Sequence, residues 1–244
     1  MKRLLLITTL CSFIPALSAA DAIAPDKTIV LFNGKNLDGW KMFSKDNDHV
    51  AAGTWGVANG VITNGGMPYG YLYTEKTYRD YKLTLEWRWI PDHVHRDKDG
   101  KPRPRNSGVL LHIHGTHKVW PDCVEAQLME ANAGDFWILG KATTAELIAH
   151  RERLVAAAKT DAERKRMALA RNLRRKNTSA PEKPLGEWNH YEIICHGDTV
   201  ILTVNGLEQN RATKSSTSAG HIGLQSEGGK MEFRNIKLEP LPKE

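Results

Sequence analysis

Glu86 and Arg88, His112 and His114, and Glu125 and Gln127 are three pairs spaced two residues apart within Tyr81–Glu130. Residues two apart on a strand share a face. If the three segments adjoin, the pairs line one cleft. Carboxylates and imidazoles move protons, and a guanidinium steadies a developing oxyanion. Glu125 is the first choice for a catalytic carboxylate; its other readings are a partner for arginine, an acceptor for ligand hydroxyls, or a metal ligand. His112 can serve as base, acid or ligand, and Glu86 is a further candidate for catalysis. Arg88 either holds a developing oxyanion or pairs with Glu86 or Glu125. His112, His114 and Glu125 together have the donor types of a divalent metal site. No other cofactor is indicated.

The stretch must be built from strands. Tyr81-Lys-Leu-Thr-Leu-Glu-Trp-Arg-Trp89 alternates apolar and polar residues, the pattern of a half-buried strand. Asn106–His114 and Cys123–Glu130 read as two more, and the polar segment 91–105 reads as a loop. Asn59-Gly60 between Thr54–Ala58 and Val61–Thr63 predicts a tight hairpin. Further strands are expected at 28–32, 188–196, 199–205, 221–226 and 231–238. Segment 143–175 differs, with Leu147, Ile148, Leu154, Val155, Leu169 and Leu173 at helical spacing. It predicts a broken helix or helical hairpin, packed by that stripe and serving as cover, lid or docking arm. Many short strands with one helical insert predict an all-β protein, a β-sandwich.

Residues 1–20 have the form of a secretory signal: Met1-Lys2-Arg3, an apolar run to Leu17, then small residues, with cleavage after Ala20 or Ala22. That run is shorter than the roughly 20 residues a membrane span needs. The expectation is a periplasmic or secreted protein with no membrane span and one domain over residues 24–241, carrying a helical insert at about 141–178. Cys123 and Cys195 are then either a disulfide or two buried thiols. The formal charge of +6 is concentrated in Lys141–Lys176, which holds eleven Lys and Arg against four Asp and Glu. A basic segment of this kind, without interleaved aromatics, argues against nucleic acid as partner.

Leu31-Phe-Asn-Gly-Lys-Asn-Leu-Asp-Gly-Trp40 resembles the opening of the DUF1080 proteins, the 3-keto-disaccharide hydrolase family. Asn106-Ser-Gly-Val109, Glu125-Ala-Gln-Leu128, Gly186–Ile193, Val204-Asn-Gly206, His221-Ile-Gly-Leu-Gln225 and Phe233-Arg-Asn-Ile236 follow in that family's order. His112 stands where the family often has Arg, Glu130 where it has Asp, and the basic insert is unusual. The resemblance implies a concanavalin A-like jelly roll with a concave sugar-binding sheet. It also implies action on glycosides already oxidised to a ketone at C3, working with a sugar 3-dehydrogenase. Asn106 then reads as a sugar contact, with a turn cap as the plain alternative. Trp120, Trp137 and Tyr71 are either sugar-stacking walls or core aromatics. Gln127 shares the polar face of Glu125; Gln225 and Glu227 stand at a strand end as rim residues.

Two other functions fit parts of this pattern. Glu125–Glu130 is similar to the Glu-x-Asp-x-x-Glu strand of laminarinase-like retaining glycanases, with Gln127 in place of the Asp. A non-catalytic carbohydrate-binding module needs the aromatic walls but not the titratable groups.

Overall fold

The structure, a computed structural model, describes residues 21–45, 54–177 and 182–242. The expected signal segment 1–20 lies outside them. The chain runs through β1 (Ile29–Val30), β2 (Trp40–Ser44), β3 (Trp55–Ala58), β4 (Val61–Asn64), β5 (Gly70–Thr74), β6 (Tyr81–Trp89), β7 (Gly108–His114), β8 (Asp122–Gln127) and β9 (Phe136–Leu139). Then come α1 (Ala145–Ala157), α2 (Asp161–Met167), β10 (Asn172–Leu173), β11 (Asn189–His196), β12 (Thr199–Val204), β13 (Leu207–Ala212), β14 (His221–Ser226) and β15 (Met231–Pro240).

Among the described residues the strands form two antiparallel sheets. One has eight strands in the order β13-β12-β11-β6-β15-β4-β3, with β1 alongside β15; the other has seven in the order β10-β9-β8-β7-β14-β5-β2. This is the all-β sandwich the alternation predicts. Leu83, Leu85, Trp87 and Trp89 of one sheet share a core cluster with Leu111, Val124, Ala126 and Leu224 of the other. Burying each of the leucine and valine side chains among these is worth about 1.5–3 kcal/mol.

One expectation is corrected. β6 belongs to the eight-stranded sheet, whereas β7 and β8 belong to the seven-stranded one. A hairpin joins neighbours with a few residues; the long segment 91–107 instead carries the chain from one layer to the other. Lys82, Thr84, Glu86 and Arg88 therefore face outward on the far side of the sandwich from Glu125.

A second correction comes from β7. Leu111 pairs with Val124 and His114 with Asp122, so two residues oppose one, and His112 takes a φ of 58°. Such a bulge breaks the alternation. His112 turns into the core, its ring edge-on to Tyr81 at 5.7 Å, while Ile113 joins Leu110 and Cys123 on the outer face.

The insert forms α1 and α2. Thr144 caps α1 through Leu147 N at 3.2 Å, and Thr160 with Glu163 forms a capping box on α2. The apolar stripe packs poorly: Leu147 is buried, Leu154 and Val155 are half-buried, and Ile148 and Leu169 are exposed. Position is instead held by β10, which pairs with β9.

Candidate functional site

The outer face of the seven-stranded sheet carries Glu125. Its neighbours across the sheet are Trp137 on β9 and Leu110 on β7. Glu125 is 3% exposed and its Oε1 has no hydrogen-bond partner. Gly108, two residues along β7 from Leu110, leaves room for the carboxyl: a Cβ there would lie 2.4 Å from Oε1. Ser107 precedes it, and its Oγ donates to Gln225 O at 2.8 Å. Asn64 Nδ2 donates to the same carbonyl at 2.9 Å. These bonds hold the ends of β4, β7 and β14 together around the carboxylate.

Glu227 follows β14 and is half-buried. Burial pushes its carboxyl up to about 7, with the Asn106 side chain drawing it down. Burial also holds the Glu125 carboxyl well above the usual range, and the charge of Glu227 adds to this. Two carboxylates in one poorly solvated place cannot readily both ionise. Each carboxyl therefore resists ionisation of the other, and the two titrate as a unit.

A cleft of about 770 Å³ opens beside Glu227, lined by Asn106, Tyr69, His93, His95, Met129 and other residues. His93 Nε2 donates to Gly228 O and His95 Nδ1 to Pro104 O, each at 3.0 Å. His93 thus fixes the 91–106 segment against the turn after β14, while His95 ties that segment to itself. Trp120 is exposed and tilts over Tyr69, ring centroids 6.2 Å apart. It therefore extends the cleft wall. Asn106 Oδ1 and both side-chain amide atoms of Gln225 are buried without partners. Buried polar atoms are nearly always paired, so these leave hydrogen-bonding capacity for a hydroxyl-rich ligand.

The fold separates the other expected residues. His112 is buried between the sheets, Nδ1 donating to Thr217 O at 3.3 Å and Nε2 unpartnered. His114 is exposed and donates from Nδ1 to His112 O at 2.9 Å. The set His112, His114 and Glu125 is not assembled, and no group of three metal-ligating side chains occurs among the described residues. Glu86 is paired with Arg234, and Arg88 with Glu232 at 2.7 Å, on the opposite sheet. Both guanidiniums lie over Trp188. Gln127 Oε1 accepts from Leu128 N and Met129 N at 2.8 Å each, which ends β8. Glu130 lies beyond that end, bound to Arg105 at 3.0 Å. The second carboxylate of the laminarinase-like pattern is thus engaged outside the strand. Tyr71 is buried, bonded to His117 Nδ1 at 2.8 Å. Cys123 and Cys195 are both free and buried, in different sheets.

Glu227 is the residue sequence reasoning undervalued. It sits in the small-residue run Ser226-Glu-Gly-Gly229, outside any alternating pattern. The two glycines were the available signal. A Cβ at Gly228 would lie 2.3 Å from His95 Nε2, and one at Gly229 2.3 Å from the Trp89 ring. Only glycine lets this turn close on its neighbours.

The fold has many relatives. A candidate glycosyl hydrolase from Parabacteroides distasonis ATCC 8503 superposes with a TM-score of 0.57 at 19% identity, covering 88% of this chain and 94% of that one. The Bacillus licheniformis beta-glucanase gives 0.52 at 10% identity over 88% and 99%. The carbohydrate binding module CBM66 from Bacillus subtilis gives 0.52 at 11% identity over 82% and 94%. At such identities the likeness concerns the jelly-roll fold. No curated protein sequence matches the chain. Residues 27–239 match the 3-keto-alpha-glucoside-1,2-lyase-like domain, and this chain belongs to that family.

Proposed function

We propose that this chain is an exported enzyme that cleaves 3-keto-glycosides by elimination and hydration. Family membership supports a carbohydrate-active protein. The observation that carries the finer reading is the pairing of buried Glu125 with half-buried Glu227, one carboxyl pushed well above the usual range and the other raised to about 7. A ketone at C3 acidifies the C2 proton, so a single base near neutrality suffices to begin the reaction.

Ionised Glu227 takes the C2 proton, and the electron pair forms an enolate across C2 and C3. The Gln225 amide, buried without a partner on the strand that leads to Glu227, donates to the enolate oxygen. The enolate collapses: the ketone re-forms, C1 and C2 become doubly bonded, and the C1–oxygen bond breaks. Glu125 protonates the departing oxygen. Water then adds its hydroxyl to C1 and gives its remaining proton to Glu125, while Glu227 returns a proton to C2. Both carboxyls end as they began. The sugar ring rests against Tyr69 and Trp120.

In this reading the substrate comes from an oxidoreductase that converts a C3 hydroxyl to a ketone. Export, with residues 1–20 removed, places the enzyme in the periplasm or outside the cell. The test is aglycone release from a 3-keto-glucoside and from its unoxidised parent. Release from the keto substrate alone, lost in Glu125→Gln and Glu227→Gln, supports the reading. Release from the parent points to a conventional glycosidase. Binding of both with release from neither points to a carbohydrate-binding module.

A further inference from the structure

One row of residues crosses the seven-stranded sheet in register: Asn172 pairs with Trp137, Trp137 with Glu125, and Glu125 with Leu110. The first of these belongs to the helical insert. Leu173 lies in the inter-sheet core, so Asn172 next to it faces the other way, toward the side that carries Trp137 and Glu125. The Asn172 side chain has no hydrogen-bond partner among the described residues and is half-buried. Trp137 is 37% exposed, on the second strand from the sheet edge, although indoles are highly buried on average.

Much of the insert is organised to hold this two-residue strand. Ile138 N donates to Arg171 O at 2.8 Å, and the Arg171 guanidinium donates to Gly140 O at 2.9 Å. Arg151 Nε of α1 donates to Ala170 O at 2.8 Å. Arg175 N donates to the buried Asp135 carboxylate at 2.7 Å. On the eight-stranded sheet, Asn210 Nδ2 donates to Leu173 O and Arg174 O, each at 3.2 Å, and Lys176 N to Gln209 O at 2.8 Å. β10 is therefore fixed to both layers. An arrangement bonded on both sides acts as a brace and not as a lid.

We infer that the insert builds the leaving-group subsite of the cleft, with Trp137 and Asn172 holding the ring that departs from C1. This rests on the elimination reading above. The keto ring has the cleft beside Glu227, Asn106 and Tyr69. Trp137 and Asn172 are not among the residues lining that cleft; they lie on the β9 side of Glu125. A leaving group that receives its proton from Glu125 extends over that side. An exposed indole offers a stacking face to the C–H surface of a pyranose or to an aryl ring, and a free side-chain amide offers both a donor and an acceptor to ring hydroxyls. The ligand class is thus a 3-keto-disaccharide or an aryl 3-keto-glycoside, in preference to one with a small alkyl leaving group.

The test compares kcat/KM on a 3-keto glucose disaccharide and on methyl 3-keto-glucoside, in wild type, Trp137→Ala and Asn172→Ala. The expected result is a loss on the disaccharide about tenfold greater than on the methyl glycoside. Equal losses, or no loss, overturn the subsite. Binding of an unoxidised glucose disaccharide and of methyl glucoside is measured in parallel by calorimetry, in wild type and in both variants. If wild type turns over neither keto substrate, the elimination reading fails by itself. The subsite then stands if both variants lose the preference for disaccharide, and falls if the preference is unchanged or absent in wild type.

Discussion

The Glu125 carboxyl occupies the space above Gly108 on the neighbouring strand, so close that a Cβ at position 108 would lie 2.4 Å from Oε1. The pairing explains why a glycine stands in a central strand, where it ordinarily weakens the sheet. Gly108→Ala should push the carboxyl aside while leaving the sheet intact. Displacement of a reacting group by about 1 Å costs roughly 100-fold in rate, and overpacking costs about 1–3 kcal/mol. The expected outcome is a folded protein with kcat reduced about 100-fold, checked by steady-state kinetics beside a thermal melt.

Glu125 sets catalysis against stability. Its folded carboxyl titrates well above the unfolded value because of burial. A raised value favours the fold below the unfolded pKa, near 4.5, and that contribution is lost as pH rises through the folded value. Gln cannot ionise, and the unpartnered Oε1 means no hydrogen bond from that atom is lost. Glu125→Gln should therefore abolish turnover yet melt about 2–4 °C higher than wild type at pH 8.5, a gain of about 1 kcal/mol. At pH 5 the difference should shrink. Melts of both proteins at the two pH values decide the matter.

His112 gives the opposite pH dependence. Burial lowers its pKa to about 4, with Thr217 and Asp80 opposing the shift and His114 assisting it. The folded value lies below the unfolded one, so the fold has its full stability above about pH 6.5 and loses it as pH falls toward 4. A gap of about 2.5 pH units corresponds to about 3 kcal/mol. His112→Asn tolerates the positive φ and should start less stable, with a flatter acid limb. Urea titrations from pH 7 to pH 4 should show that flattening; parallel limbs would exclude His112 as the cause.

The rate itself should follow the carboxyl pair. Activity needs Glu227 ionised and Glu125 protonated, so kcat/KM should rise through about pH 7 and fall again at higher pH as the pair loses its second proton. Glu227→Gln should remove the acid limb along with most of the activity. A profile flat from pH 5 to pH 9 would take Glu227 out of the proton transfer.

The strands were legible because burial on one side imposes a period of two. Tyr81–Trp89 shows it over the full length of β6, and Asn59-Gly60 marked the hairpin of β3 and β4. Alternation says which residues share a face, and nothing about which sheet a strand joins. Glu86 and Arg88 were therefore grouped with Glu125 although the core lies between them. The bulge at His112 was equally silent: no glycine marks it, and a histidine at positive φ has no sequence signature. Asn106 was singled out through the ordered motifs and Glu125 through its place on the polar face of a strand, which is where β8 puts it. Glu227 was undervalued because a turn, not a period, delivers it.

The excursion from Leu139 to Asn172 begins and ends on the same sheet edge, with Ile138 N bonded to Arg171 O. The entropy of closing such a loop grows with the logarithm of its length, about 0.6 kcal/mol for each doubling. Lengthening or shortening the helices thus changes little so long as the last few residues still rejoin the edge. The segment is a place where the chain can gain or lose tens of residues, and acquire new surface, without disturbing the distance from Trp137 to Glu125.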